Sequence, residues 1–232
     1  MVRILAISKE KSKLDWNIIH DFKAAFLVYL LVLIPSVIAY ASTDIFPSLS
    51  DALLASSQTP WGVITSIFIH VESQHLIVNM VAFLAFLVLF AVLNIFLHQK
   101  ERIRREYFLL LNIFVSAILS NLLWIILLPN VNTTGASGLV YASIGVMLGF
   151  ALLNSLKLKD IRKHCLDKRK MVLGIHILNV IVFLVIFLQI VLVPGVFLNI
   201  GPGVNSFVHS VSFDISFVST LCYSVIQTRI NK

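Results

Sequence analysis

The sequence predicts an all-α protein built into a membrane, with six spanning helices in one unit. Three observations predict it. Of the 232 residues, 59% are hydrophobic and only 12% are charged, whereas a soluble domain is about a quarter charged and under half apolar. The apolar residues gather into six stretches close to the ~20 residues that a helix needs to cross the hydrocarbon core. All 18 Lys and Arg residues lie outside those stretches.

The stretches are 24–41, 75–97, 107–128, 138–156, 171–193 and 205–227. Pro35 interrupts the first, and neighbouring helices can satisfy the backbone group that a proline frees inside a membrane. The second and third are separated by the basic run 100–105. The fourth carries Gly138, Ala142, Gly145 and Gly149, small residues at helical spacing that let a second helix approach closely. The fifth follows the most basic segment, 157–170. The sixth contains His209, Ser212, Asp214 and Ser216.

Taken alternately, the connections fall into two classes. One side holds residues 1–23, 100–105, 157–170 and the tail beyond 227, and with them every Lys and Arg; segments 42–74, 129–137 and 194–204 hold none. Positive loops stay in the cytoplasm, so both termini are expected there and the number of spans is even. The expected organisation is a short cytoplasmic tail (1–23), one membrane domain (24–227) and a second short tail (228–232), a multi-pass protein of the cell membrane. The net charge of +7 is thus an orientation signal, and no nucleic-acid partner is expected. Cys165 and Cys222 fall at different depths and are not expected to pair. No cleavable signal peptide is expected at the N-terminus. The long outer connection 42–74 contains Phe46, Leu53, Leu54, Trp61 and Phe68, as expected of a loop folded against the surface. No internal repeat is evident, which counts against an inverted-repeat transporter.

The outer side also holds the chemistry. Ser137 lies in a Gly-Ala-Ser-Gly turn opening the fourth stretch. Gly135 and Gly138 permit a tight turn, and free N–H groups at a helix start can hold a developing oxyanion. Tyr141 lies one turn further on the same face. His209 sits one turn inside the sixth stretch, at a depth similar to Ser137, with Ser212 and Ser216 on its face. A serine or a histidine alone reads as packing. Both at membrane depth read as a nucleophile and its base, because polar residues there mark function. His75 and Asn79 share one face at the start of the second stretch and can both donate hydrogen bonds toward an oxyanion. His70 precedes that helix and is expected to pin the outer loop. His70 and His75 do not share a helical face and no His-Glu-x-x-His is present, so no metal site is expected. Asp214 lies ~140° around the helix from His209, a poor third member for a triad; it is left as protonated or paired with a neighbouring helix. A two-aspartate membrane protease would need a second aspartate within the spans, and there is none.

These elements together resemble the rhomboid family of intramembrane serine proteases. His-x₄-His-x₃-Asn falls at His70, His75 and Asn79; Gly-x-Ser-Gly falls at Ser137 with Tyr141 four residues later; a late histidine falls at His209. Their order, spacing and segment assignment agree with the six-span prokaryotic-type core, and the stretch from Pro60-Trp61 to Met80 is similar to the family's first outer loop running into its second helix. The resemblance implies Ser137 as nucleophile and His209 as general base, then general acid. It implies an oxyanion hole of His75, Asn79 and the Ser137 N–H, and Tyr141 against the His209 ring. It implies transmembrane protein substrates, cut in or beside a membrane helix near its outer end and entering between the second and fifth helices. No cofactor is expected, and the expected partners are those substrates and the lipid bilayer. Two departures stand out. Trp61-Gly62 replaces the frequent Trp-Arg, which implies weaker loop anchoring. Ser212 and Ser216 replace glycines, which implies slightly wider helix spacing. The competing readings are an inactive relative that binds membrane helices and a small transporter. The oligomeric state is left open.

Overall fold

The computed structural model describes residues 2–94, 97, 99–129, 131–156 and 205–230, together with isolated positions between 174 and 192. The helices with described bounds are α1 (Val2–Ile45), α2 (Pro47–Leu53), α3 (Gly62–Thr65) continued by a 3-10 turn (Ser66–Phe68), α4 (Ser73–Asn94), α5 (Gln99–Leu127), α6 (Ser137–Leu156) and α7 (Ser206–Ile230). Extended pairing among the described residues is confined to an isolated antiparallel bridge between Ala55 and Thr133. The fold is all-α, as expected.

Among the described residues, four segments are long and apolar enough to cross a membrane: Phe22–Ile45, Ser73–Asn94, Gln99–Leu127 and Ser137–Asn154. They match the first four expected spans. Most of the fifth expected span, 171–193, lies outside the described residues, as do the basic segment 157–170 and Cys165. The positions described within that span are helical, and Ile177, Leu184 and Leu188 are exposed there. The sixth is α7. Its 25 residues are long enough to span, yet its serines, His209 and Asp214 dilute its apolarity. Ser212, Ser216 and Thr220 are fully buried against the other helices, so these three form an inward polar stripe, while Asp214 is exposed.

Helical structure extends beyond two of the expected span limits. The expected tail 1–23 is helical from Val2 onward as part of α1. Residues 2–34 contain no glycine or proline, and Lys, Glu, Leu and Ala sustain a helix. Pro35 lies inside α1 without ending it, forfeiting one backbone bond. The run 100–105 is not a loop but the opening of α5, which starts at Gln99. Burial of Arg105 explains this. Its Nη1 donates to Asn94 Oδ1 at 2.9 Å and Asn154 Oδ1 at 3.0 Å. Its Nη2 pairs with Glu101 at 2.8 Å, and the guanidinium lies 4.4 Å from the Phe150 ring centre. One cation thus ties the ends of α4 and α6 to the start of α5.

α6 is the central helix: 78% of its apolar stretch is buried, against 11% for that of α1. It packs against α7, α5 and α4, while α1 lies on α4. Phe83, Leu87, Ile113, Leu139, Met147 and Phe150 form the core between them. α6 and α7 approach closely at Gly145, where an added Cβ would overlap Ser216 and the Phe213 carbonyl. The serines of α7 therefore do not hold the two helices apart there.

Candidate active site

The loop between α1 and α4 carries the site's frame. The indole Nε1 of Trp61 donates to the Ala52 carbonyl at 2.7 Å, and Thr65 Oγ1 donates to the Leu53 carbonyl at 2.7 Å. A Cβ at Gly62 would overlap the Leu54 carbonyl. Trp61-Gly62 is thus an anchor of a different kind from Trp-Arg: the backbone at position 62 packs where a side chain would not fit. Asn121 of α5 donates to the Val63 carbonyl at 3.2 Å and to Ser66 Oγ at 3.1 Å, tying the loop to the bundle.

The turn that delivers Ser137 rests on this frame. Thr133 and Ala55 exchange two backbone hydrogen bonds, at 3.2 and 3.3 Å, and the Gly135 N–H donates to the Ser66 carbonyl at 2.9 Å. Gly135 adopts φ +99°, a left-handed backbone that side chains other than glycine rarely tolerate. The chain then enters α6 at Ser137, which is buried at 7% exposure.

His70 joins the loop to this turn. Its ring is 1% exposed. Nε2 lies 3.3 Å from both the Ala136 N–H and Asn79 Nδ2, and Nδ1 lies 3.2 Å from the Phe68 carbonyl. Two donors face Nε2 and an acceptor faces Nδ1, so the ring is neutral with its proton on Nδ1. Burial, then the proximity of His75, lowers its pKa from 6.5 to about 4. The sequence reading assigned His70 to pinning the outer loop; its bonds reach further, to the residue before Ser137 and to Asn79.

His75 and Asn79 converge on the same place from α4. A Cβ built on Gly135 would lie 2.9 Å from His75 Cε1, 3.3 Å from His75 Nε2 and 3.8 Å from Asn79 Nδ2. The His70 and His75 rings meet edge to face, with centroids 5.3 Å apart. Two side-chain donors therefore stand beside the turn two residues ahead of Ser137.

α7 supplies the imidazole. Asn205 caps the helix, its Oδ1 accepting from the Val208 N–H at 3.1 Å. His209 follows, 8% exposed, and lies flat on Tyr141 with ring centroids 4.1 Å apart and planes 10° from parallel. A Cβ at Gly138 would contact Val208 Cγ1 at 3.4 Å and Ser212 Oγ at 3.3 Å. The residue after Ser137 thus abuts the two positions flanking His209 on the α7 face. Asp214 is exposed on α7, away from the buried Ser212 and Ser216. Sequence reasoning missed two links at this site, Asn205 to Thr133 and Ser212 to Ser120. The first had a legible signal, an Asn just ahead of an apolar helix; the second had none.

A helical membrane protein that gathers a serine, two histidines, an asparagine and a stacked Tyr-His pair at one end of its bundle defines a narrow class. The Rhomboid domain model matches residues 57–222, and the chain belongs to the rhomboid family. It is 29% identical over 163 residues to Rhomboid-like protease 3 of Toxoplasma gondii. That match takes in 70% of this chain and 51% of the relative, so the chain spans about half the length of the relative it matches.

Proposed function

We propose that the chain is an intramembrane serine endopeptidase that cuts peptide bonds in or next to transmembrane helices of other membrane proteins. Ser137 Oγ attacks the scissile carbonyl while His209 takes its proton. The tetrahedral oxyanion is held by His75, Asn79 and the Ser137 N–H. As it collapses, the C–N bond breaks and His209 returns the proton to the leaving amine. Water, deprotonated by His209, then hydrolyses the Ser137 ester and restores the serine. A spanning helix satisfies its own backbone, so the substrate must fray before its carbonyl can enter.

The observation that supports this reading best is the parallel stack of His209 on Tyr141, one turn from Ser137. It holds the imidazole beside the α6 entrance, where His75 and Asn79 also converge. The basic residues support a topology with both termini cytoplasmic and the site opening on the opposite face. The test is a fluorophosphonate probe and a model transmembrane substrate with purified protein. Wild type should label at Ser137 and cleave, and Ser137→Ala and His209→Ala should do neither. Cleavage that survives either substitution defeats the proposal; binding of the substrate without cleavage by wild type points to a helix-binding scaffold.

A further inference from the structure

In a Ser-His dyad the base is placed by the helix that carries it. The Tyr141 stack fixes the plane of the His209 ring, but stacked rings slide over one another at little cost, so stacking alone does not fix the distance to Ser137. The position of α7 against its neighbours sets that distance, and α7 packs closely on α6 further in, at Gly145 and Ser216.

Two hydrogen-bonded pairs bracket the dyad. The outer pair is Asn205 and Thr133. Asn205 Nδ2 donates to Thr133 Oγ1 at 2.7 Å. Thr133 lies four residues before Ser137, and Asn205 four residues before His209. Thr133 is 4% exposed and is fixed by its reciprocal backbone bonds with Ala55. Asn205 is fixed by capping α7 with its other side-chain atom. The inner pair is Ser212 and Ser120, both fully buried, with hydroxyls 2.7 Å apart. Ser120 donates its proton to the Ala117 carbonyl at 2.8 Å, so it accepts from Ser212. Ser212 lies three residues after His209.

We infer that these pairs are a clamp that sets the register of His209 against Ser137, with Thr133 and Asn205 as positioning residues on the outer side and Ser120 and Ser212 on the inner side. A shift of α7 by one residue moves it ~1.5 Å along its axis and ~100° around it, which breaks both pairs. The clamp takes over only the positioning part of what a carboxylate does in a triad, since neither pair touches the imidazole. This rests on the protease reading above.

The test uses substitutions that remove one bond and leave the rest. Thr133→Val keeps shape and backbone bridge but loses the acceptor. Asn205→Ser keeps a capping oxygen but is too short to reach Thr133. Thr133→Ser restores the hydroxyl. Fluorophosphonate labelling rates at Ser137, and kcat and KM for a transmembrane substrate, are measured per folded molecule, with folding followed by thermal melts. Thr133→Val and Asn205→Ser should each lower kcat and labelling about tenfold, since misplacement by about 1 Å costs up to ~100-fold, with KM changed less than about twofold. The double variant should be no slower than either single one, because both remove the same bond. Thr133→Ser should label at the wild-type rate, and Ser212→Ala should slow labelling as the outer variants do. Wild-type labelling rates in Thr133→Val and Asn205→Ser, or losses that multiply in the double variant, overturn the clamp while leaving the protease intact. A wild-type protein that neither labels nor cleaves overturns the protease reading, and the clamp with it.

Discussion

Acidification should weaken this protein through His70, and the size of the effect follows from its surroundings. The folded ring has a pKa of about 4 against 6.5 for an unperturbed histidine. Between those values the unfolded chain binds a proton that the folded chain refuses. Stability from this group is therefore fully present above pH ~6.5 and is lost progressively as pH falls toward about 4. At ~1.4 kcal/mol per pH step the loss totals about 3 kcal/mol. The chemistry agrees with the sign: protonation at Nε2 would set N–H against the Ala136 N–H and the Asn79 amide, both now donating to it. Thermal unfolding in detergent from pH 7 to pH 4, wild type against His70→Gln, is the assay. His70→Gln should be less stable than wild type at neutral pH but should lose less on acidification. His75, whose ring meets that of His70 edge to face, is present in both proteins. Equal pH slopes for the two would refute the reasoning.

Three further outcomes are expected. Arg105→Ala should destabilise the fold by about 1–3 kcal/mol, the range for leaving buried acceptors without their donor, and Arg105→Lys should recover only part, since an ammonium cannot reproduce the forked contacts to Asn94, Asn154 and Glu101; denaturant titration by circular dichroism reads both. Gly62→Arg, which restores the residue frequent in the family, should lower stability by about 1–3 kcal/mol through overlap with the Leu54 carbonyl, measured by the melting temperature in detergent. Tyr141→Phe should label with fluorophosphonate at the wild-type rate, while Tyr141→Ala should be slowed by up to about tenfold, because an aromatic stack contributes about 0.5–1.5 kcal/mol.

The first four spans were legible because lipid demands a long apolar run, a signal that survives without any tertiary context. Their ends were less legible where tertiary contacts decide. Charge placement put Lys100 to Arg105 in a loop, but the guanidinium of Arg105 finds acceptors on two other helices, and those partners lie 11 and 49 residues away. Similarly, nothing local says that position 62 faces a carbonyl eight residues earlier, so Trp61-Gly62 looked like a weakened anchor when its fit is steric. In the candidate site, His75, Asn79 and Tyr141 were read from helical spacing, which does report which residues share a face, and His209 from an ionisable residue at membrane depth. Spacing cannot report which helix a face meets. The link from His70 to the Ala136 N–H, and the pairs that join α7 to its neighbours, depend on that missing information.

The composition of α7 makes sense in the same terms. Between helices in lipid there is no hydrophobic drive to associate, so close packing and interhelical hydrogen bonds must supply it. α7 uses both on one face. Asn112 of α5 donates to the Ser216 carbonyl at 3.2 Å and accepts from Ser219 at 2.9 Å. Ser120 meets Ser212 one turn nearer the imidazole, and Gly145 admits Ser216 against α6. Val218, Val225 and Ile226 on other sides of the helix remain exposed. A uniformly apolar α7 would cross a bilayer equally well, but it would have no reason to stop at one rotation or one depth. The serines that lower its hydropathy are what specify both, and the helix that most needs a fixed register is the one bearing His209.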